Sequence, residues 1–281
     1  MVDVQTALKA CEETIQTHSK TFYRAFSMLP KKKRQAVWAV YSFCRRADDI
    51  VDESPSPKEE LASFQESFDR FLKRDVDRDD PMWVALEYTF QEFNMDESPF
   101  RDLLQGQEMD LKQQRYETLD ELLIYSYHVA STVGLMLLPI IAPRKKERLK
   151  EAAISLGIGM QLTNILRDIG EDVAQRDRIY LPKQVLDQFG YTEQQLQEGV
   201  VNQAFQHVWE YIAFEAEAYY EEFFDHLHEF PLYSRMSVKA AAYFYKAILD
   251  KIRENEYRVF TQRSFISKQE KALILEDITN H

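Results

Sequence analysis

Apolar residues recur every three to four positions along most of the chain, the period of helices that bury one face. AVWAVYSFCRRADDIVD, from Ala36, is apolar on most turns, and Ser54-Pro55-Ser56-Pro57 ends it. ELASFQESFDRFLKR follows with a stripe of Leu61, Phe64, Phe68, Phe71 and Leu72. DVDRDDP, residues 75–81, predicts a charged loop. PMWVALEYTFQEFN and PFRDLLQGQEMDLKQQ predict two more helices, each opened by a proline. The spacing then predicts a long helix over 118–141 and another over 144–175. IYLPKQVLDQFG is a short extended entry into a helix ending at Gly190, and three or four helices fill the remainder. No strand-like alternation, repeat, low-complexity tract or linker interrupts this pattern. The expectation is a single all-α domain over residues 1–281.

Composition agrees. Only 7 glycines and 9 prolines punctuate 281 residues, which favours long helices over turn-rich sheets. Net charge is −12, from 35 basic and 47 acidic residues, which argues against nucleic acid as a partner. Cys11 and Cys44 make neither a disulfide framework nor a metal-ligand spacing, and are expected as reduced helix-face residues. The N-terminal stretch MVDVQTALKACEETIQ is polar and amphipathic, so a cytoplasmic protein is expected. The most apolar stretch, VASTVGLMLLPIIAP, is short for a bilayer span and holds Pro139.

Two acidic clusters carry the candidate chemistry. Residues four apart on a helix differ by only about 40° in direction. Asp48 and Asp52 therefore share a face while Asp49 points elsewhere, and Asn164, Asp168 and Asp172 form one line. Like charges so spaced destabilise a helix by about 0.2–0.5 kcal/mol per pair, and far more when buried unpaired. The flanks AVWAVYSF and SLGIGMQLTNIL are apolar, so both clusters should be partly buried. Compensation must come from Arg45, from Arg167, or from a hard cation with oxygen ligands. Magnesium takes one or two carboxylates and completes its octahedron with water and substrate phosphate. A lone DxxxD is more often a solvated helix face. Together with NxxxDxxxD in one helical chain, it favours two facing helices that hold a diphosphate through several magnesium ions. Di-iron chemistry needs Glu-x-x-His pairs, and none of the six histidines lies three residues after a glutamate.

HSKTF at 18–22, RRADDIVDE at 45–53, VASTVG at 129–134 and QLTNILRDIGEDVAQRDRIYLP at 161–182 together resemble the squalene/phytoene synthase family. Within it, the compact chain looks most like bacterial dehydrosqualene (4,4′-diapophytoene) synthases. The resemblance implies an all-α class I isoprenoid synthase fold around a central cavity. It also implies head-to-head condensation of two prenyl diphosphates with two or three magnesium ions. Carried over by motif, Asp48 and Asp52 form one metal site and Asn164, Asp168 and Asp172 the other. His18, Lys20 and Arg45 would contact diphosphate. Tyr41 and Tyr245 fall where the family places phenols near the diphosphates, and Arg263 and Lys271 match its late basic contacts. Gln161 and Tyr127 would line the cavity.

Phe22 and Phe26 lie four apart on one predicted helical face. Two rings there would shorten a cavity, because extra methylenes overfill a packed pocket. That favours farnesyl over geranylgeranyl diphosphate and dehydrosqualene as product. Phytoene from the longer substrate and NADPH-dependent squalene formation are the neighbouring alternatives. NADPH is not expected, although family squalene synthases also lack a Gly-rich dinucleotide fingerprint. A head-to-tail prenyltransferase or cyclase would fit DDIVD alone but not the R-x-Y-L-P extension. A non-catalytic helical scaffold is the remaining class, and its acidic positions would be free to decay. An insoluble thirty-carbon product suggests peripheral membrane contact or handover to a membrane-bound desaturase. RKKERLK, residues 144–150, reads as a solvated helix start with a membrane-surface contact as the weaker reading. Gly134 and Gly157 read as close helix-packing positions.

Overall fold

The computed structural model describes residues 1–280. Among them the only β pairing is an isolated parallel bridge between Arg115 and Ile179. The chain begins with α1 (Val4–His18), whose N-terminus is capped by Asp3, and α2 (Lys20–Phe26), capped by Ser19. Next come α3 (Lys31–Glu53), α4 (Pro57–Leu72), α5 (Pro81–Glu92) and α6 (Ser98–Lys112). Prolines stand at the first turns of α4, α5 and α6, where a missing N–H is harmless. Then follow α7 (Leu119–Ser126), a π turn (Tyr127–Ser131), α8 (Thr132–Ile141) and α9 (Lys150–Arg176). Two short helices, α10 (Lys183–Gln188) and α11 (Glu193–Gln197), lead to α12 (Gln203–His226), α13 (Leu232–Glu254) and α14 (Lys268–Asn280). Gly190 stops α10 with φ +66°, a conformation that suits glycine.

One buried apolar cluster runs from Ala25 to Ile278 and ties α2–α14 together, and a second packs Ala7, Leu8, Cys11 and Ile15 of α1 against α3 and α5. The Phe stripe of α4 packs outward of α3: Phe43 meets Phe64, Phe68 and Phe100 at centroid distances of 5.0, 5.2 and 5.1 Å. Most aromatics thus fill the core. α9 is the central strut, packed against α8, α12 and α13 and against the π turn, while α3 packs against α1, α5 and α8. The two acidic sequences therefore ride on helices at the centre of the bundle.

Two boundaries differ from the periodicity. The helix expected over 118–141 contains the π turn, which presses so closely on α9 that a Cβ on Gly157 would lie 2.4 Å from Ser131 Cα. Glycine there is a packing requirement. RKKERLK is not a helix start; residues 143–149 form turns and α9 begins at Lys150. Pro143 disfavours helix at Ala142, and the basic side chains reach outward. Lys145 donates to the Glu229 carbonyl at 2.6 Å, and Arg148 pairs with the Glu229 carboxylate. The run Leu119–Ile141 is long and apolar enough to cross a membrane by length and composition, but just over half of its apolar window, 56%, is buried inside the bundle.

Candidate active site

α3 and α9 meet through arginine. Arg176, in the last turn of α9, lies 3.3 Å from Asp52 of α3 and 3.3 Å from Asp172 of its own helix. Arg178, just past that helix, donates to Asp52 at 2.8 Å. Asp177 takes a left-handed turn with φ 50°, which swings Arg178 back, and the Arg178 N–H closes on the Asp172 carbonyl at 3.0 Å. The two acidic sequences, more than a hundred residues apart, thus share guanidinium partners. Upstream on α3, Arg45 lies 3.3 Å from Asp48 and also pairs with Asp49. On α9, Arg167 and Arg263 both grip Asp168, the latter at 2.9 Å. Burial works to raise the Asp168 pKa, but the Arg167 hydrogen bond and the two guanidinium charges outweigh it and hold the carboxyl below its ordinary value.

Asp48 and Asp172 are left without enough positive charge. Partial burial first, then the neighbouring Asp52, raises the Asp48 pKa, an effect softened by the half-exposure of its side chain. Burial and Asp168 push Asp172 up to about 7, against the partial relief from Arg176. Asn164 donates to Gln161 at 3.5 Å, and its buried Oδ1 accepts no hydrogen bond among the described residues. An oxygen-only donor set with two undercompensated carboxylates and an orphan amide oxygen fits magnesium. Among the described residues no three His, Cys, Asp or Glu side chains stand close enough to cage an ion alone.

Next to this polar rim lies an apolar cavity of about 190 Å³. Phe22 and Phe26 of α2 form part of its wall, stacked with centroids 5.8 Å apart and planes within 7°. Tyr41, Gln161, Asn164 and Tyr245 form its polar positions. Burial raises the pKa of both tyrosines, so the phenols stay protonated. Tyr245 also faces a second, basic recess lined by His18, Lys20, Arg167, Arg263 and Lys271. There Lys271 donates to Thr21 at 2.7 Å, and burial together with the Lys20 charge lowers its pKa. Arg45 and His18 share a third recess beside Asp49. A hydrocarbon pocket thus adjoins a carboxylate cluster and a cationic recess, the pairing needed for an amphiphile with an anionic head.

A model of the squalene/phytoene synthase family matches residues 15–270. The chain belongs to the squalene/phytoene synthase family. It is 41% identical over 278 residues to the farnesyl diphosphate phosphatase YisP of Bacillus subtilis (strain 168), covering 99% of this chain and 100% of that one. It is 37% identical over 279 residues to the 15-cis-phytoene synthase of Synechococcus elongatus, covering 95% and 90%. The crystal structure of a dehydrosqualene synthase in complex with ligand superposes with a TM-score of 0.93 at 38% identity, covering 99% and 96%. The all-α fold is that of the isoprenoid synthases.

Of the expected residues, Phe22, Phe26, Tyr41, Gln161, Asn164 and Tyr245 line the cavity, His18, Lys20, Arg263 and Lys271 line the basic recess, and Arg45 lines the third recess with His18. Asp48, Asp52, Asp168 and Asp172 line none of the three and are placed by their arginine partners. Tyr127 lies apart from all of them. It begins the π turn, which rotates it away from the cavity; its hydroxyl approaches Asp102 at 3.3 Å in an outer groove with Lys146 and Glu151. Val129, Ala130 and Val133 line the cavity instead. Three residues escaped notice in the sequence: Arg176, Arg178 and Asp110. Asp110, from α6, is buried and accepts from Tyr125 at 2.9 Å and Tyr180 at 2.8 Å. Burial raises its pKa, while Arg178 acts against the rise. The signal was present in part: R-D-R-I-Y holds both arginines and Tyr180, but their partners lie on α3 and α6.

Proposed function

We propose that the protein condenses two farnesyl diphosphates head to head to dehydrosqualene, through a cyclopropylcarbinyl diphosphate, as one catalytic unit over residues 1–281. The observation that carries this reading is the apolar cavity joined, through Tyr245, to the cationic recess, with Asn164 in its wall one helical turn before Asp168 on α9. Asp48, Asp172 and Asn164 would hold magnesium, with Asp52 and Asp168 able to join once diphosphate draws off their arginines. The metal would supply Lewis-acid neutralisation of the leaving diphosphate.

The chain's own groups account for the rest. Arg45, His18, Lys20, Arg263 and Lys271 supply positive charge where pyrophosphate departs. The first substrate loses its diphosphate and becomes an allylic cation. The double bond of the second attacks it, and loss of a proton closes the cyclopropane ring. A second ionisation starts rearrangement, and a second proton loss ends it. The faces of Phe22, Tyr41 and Tyr245 stabilise cationic carbon, and the apolar walls exclude water. Stacked Phe22 and Phe26 favour fifteen carbons over twenty.

Hydrolysis of farnesyl diphosphate is a second reading, favoured by the 41% identity to YisP. It shares the first ionisation and differs only in whether water or a second prenyl chain reaches the cation. The experiment is a product assay by mass spectrometry with magnesium, with and without NADPH, on farnesyl and geranylgeranyl diphosphates. Dehydrosqualene from the shorter substrate without NADPH is expected. Farnesol alone would move the protein to the hydrolytic reading, squalene only with NADPH to the reductive one, and phytoene would overturn the Phe22–Phe26 argument.

A further inference from the structure

The end of the molecule opposite the carboxylates has its own chemistry. α3 runs from the KKKR of residues 31–34 to Asp48, about 25 Å at 1.5 Å per residue. Val37, Val40, Tyr41 and Cys44 line the hydrocarbon cavity along the way. Three segments converge at the far end. Lys33 donates to the Ile140 carbonyl and sits 4.5 Å from the Tyr233 ring centroid. Ser234 donates to the Ile141 carbonyl at 2.7 Å, and Lys145 ties the 144–150 turns to Glu229. KKKR and RKKERLK thereby bring nine basic residues and one acidic residue together in a chain of net charge −12. Glu92 and Glu229 neutralise Lys32 and Arg148 from outside those stretches, so a positive excess remains.

Apolar side chains project from this same basic tip. Leu232 is 81% exposed, and Met28 and Tyr233 are exposed as well. Each adjoins a residue of the cavity's end wall: Met28 follows Phe26 by two positions, and Leu232 follows Phe230 by two. We infer that this tip docks on an anionic lipid bilayer, with Leu232, Met28 and Tyr233 entering the interface inside a ring of Lys and Arg. Charge complementarity selects the occupant: an acidic protein would otherwise be repelled by anionic lipid, and the local excess of Lys and Arg at this tip reverses that repulsion. The orientation leaves the carboxylate mouth in water, where diphosphates arrive. It sets the hydrocarbon end of the cavity against the membrane. Docking itself stands apart from the proposed reaction, since it requires no substrate.

The test is co-sedimentation of the full chain, without substrate or metal, with phosphatidylcholine vesicles containing none or about 30% phosphatidylglycerol, at about 50 and 500 mM salt. Binding to the anionic vesicles at low salt is expected, at least about tenfold weaker with neutral vesicles or at high salt. Leu232→Asp and the double change Lys31→Glu/Arg144→Glu should each weaken partitioning about tenfold. Phe214→Asp, at a ring 69% exposed midway along α12, should change nothing and serves as the control. Equal binding to neutral vesicles, or tip variants that bind like the parent, would overturn the inference. So would failure to bind either vesicle, leaving an acidic protein or a second copy of the chain as the occupant.

Discussion

Asp172 is a carboxylate held where it weakens the free protein. Its side chain is 13% exposed, and burial together with Asp168 raises its pKa from 3.8 to about 7. The folded state therefore binds this proton more tightly than the unfolded chain does. For a raised acid, stability is greatest at low pH and falls as pH climbs from about 3.8 towards 7, then levels off. The full displacement corresponds to about 4 kcal/mol, of which about 2.5 kcal/mol falls between pH 5 and pH 8. Asp172→Asn removes the titration and keeps the shape, and Arg176 retains Asp52 and Glu171 as partners. In chelator, urea unfolding should find the variant more stable than the parent, and by about 2.5 kcal/mol more at pH 8 than at pH 5. The same variant should lose the thermal stabilisation that magnesium and pyrophosphate give the parent. A variant less stable than the parent at pH 8, or a difference that ignores pH, would refute the idea that this carboxylate is kept for binding a cation.

Asp48→Ala and Asp172→Ala should each lower kcat/KM by at least about 100-fold under magnesium saturation, with circular dichroism unchanged; near-normal turnover would reject the paired-helix diphosphate site. Phe22→Ala combined with Phe26→Ala opens the stacked pair and should let geranylgeranyl diphosphate yield a longer product, read by mass spectrometry. Gly157→Ala drives a Cβ to 2.4 Å from Ser131 Cα and should cost about 1–3 kcal/mol in urea unfolding, since backbone on both sides must shift. Asp110→Ala should cost about 1–3 kcal/mol by leaving the Tyr125 and Tyr180 hydroxyls only each other as partners, and should also impair turnover by removing a buried negative charge near Arg178.

Helix identity was legible because it is local. The stripe of Leu61, Phe64 and Phe68, the prolines that open α4, α5 and α6, and the stop at Gly190 each act within a few residues. The same locality aligned Asp48 with Asp52, and Asn164 with Asp168 and Asp172, on single helix faces. It also paired Phe22 with Phe26, which the bundle then stacked. Tertiary packing decided what these faces meet. Arg176 and Arg178 bridge α3 to α9 only because the chain reverses at Asp177, and nothing near Asp52 in sequence announces them. The π turn at Tyr127–Ser131 packs against α9 at Gly157, and Tyr127 at its start faces Asp102 rather than the cavity. The basic stretches at 31–34 and 144–150 become one surface only when α3, α8 and α13 end together. Period and capping depend on neighbours along the chain; burial, ion pairing and shared surfaces depend on neighbours in space.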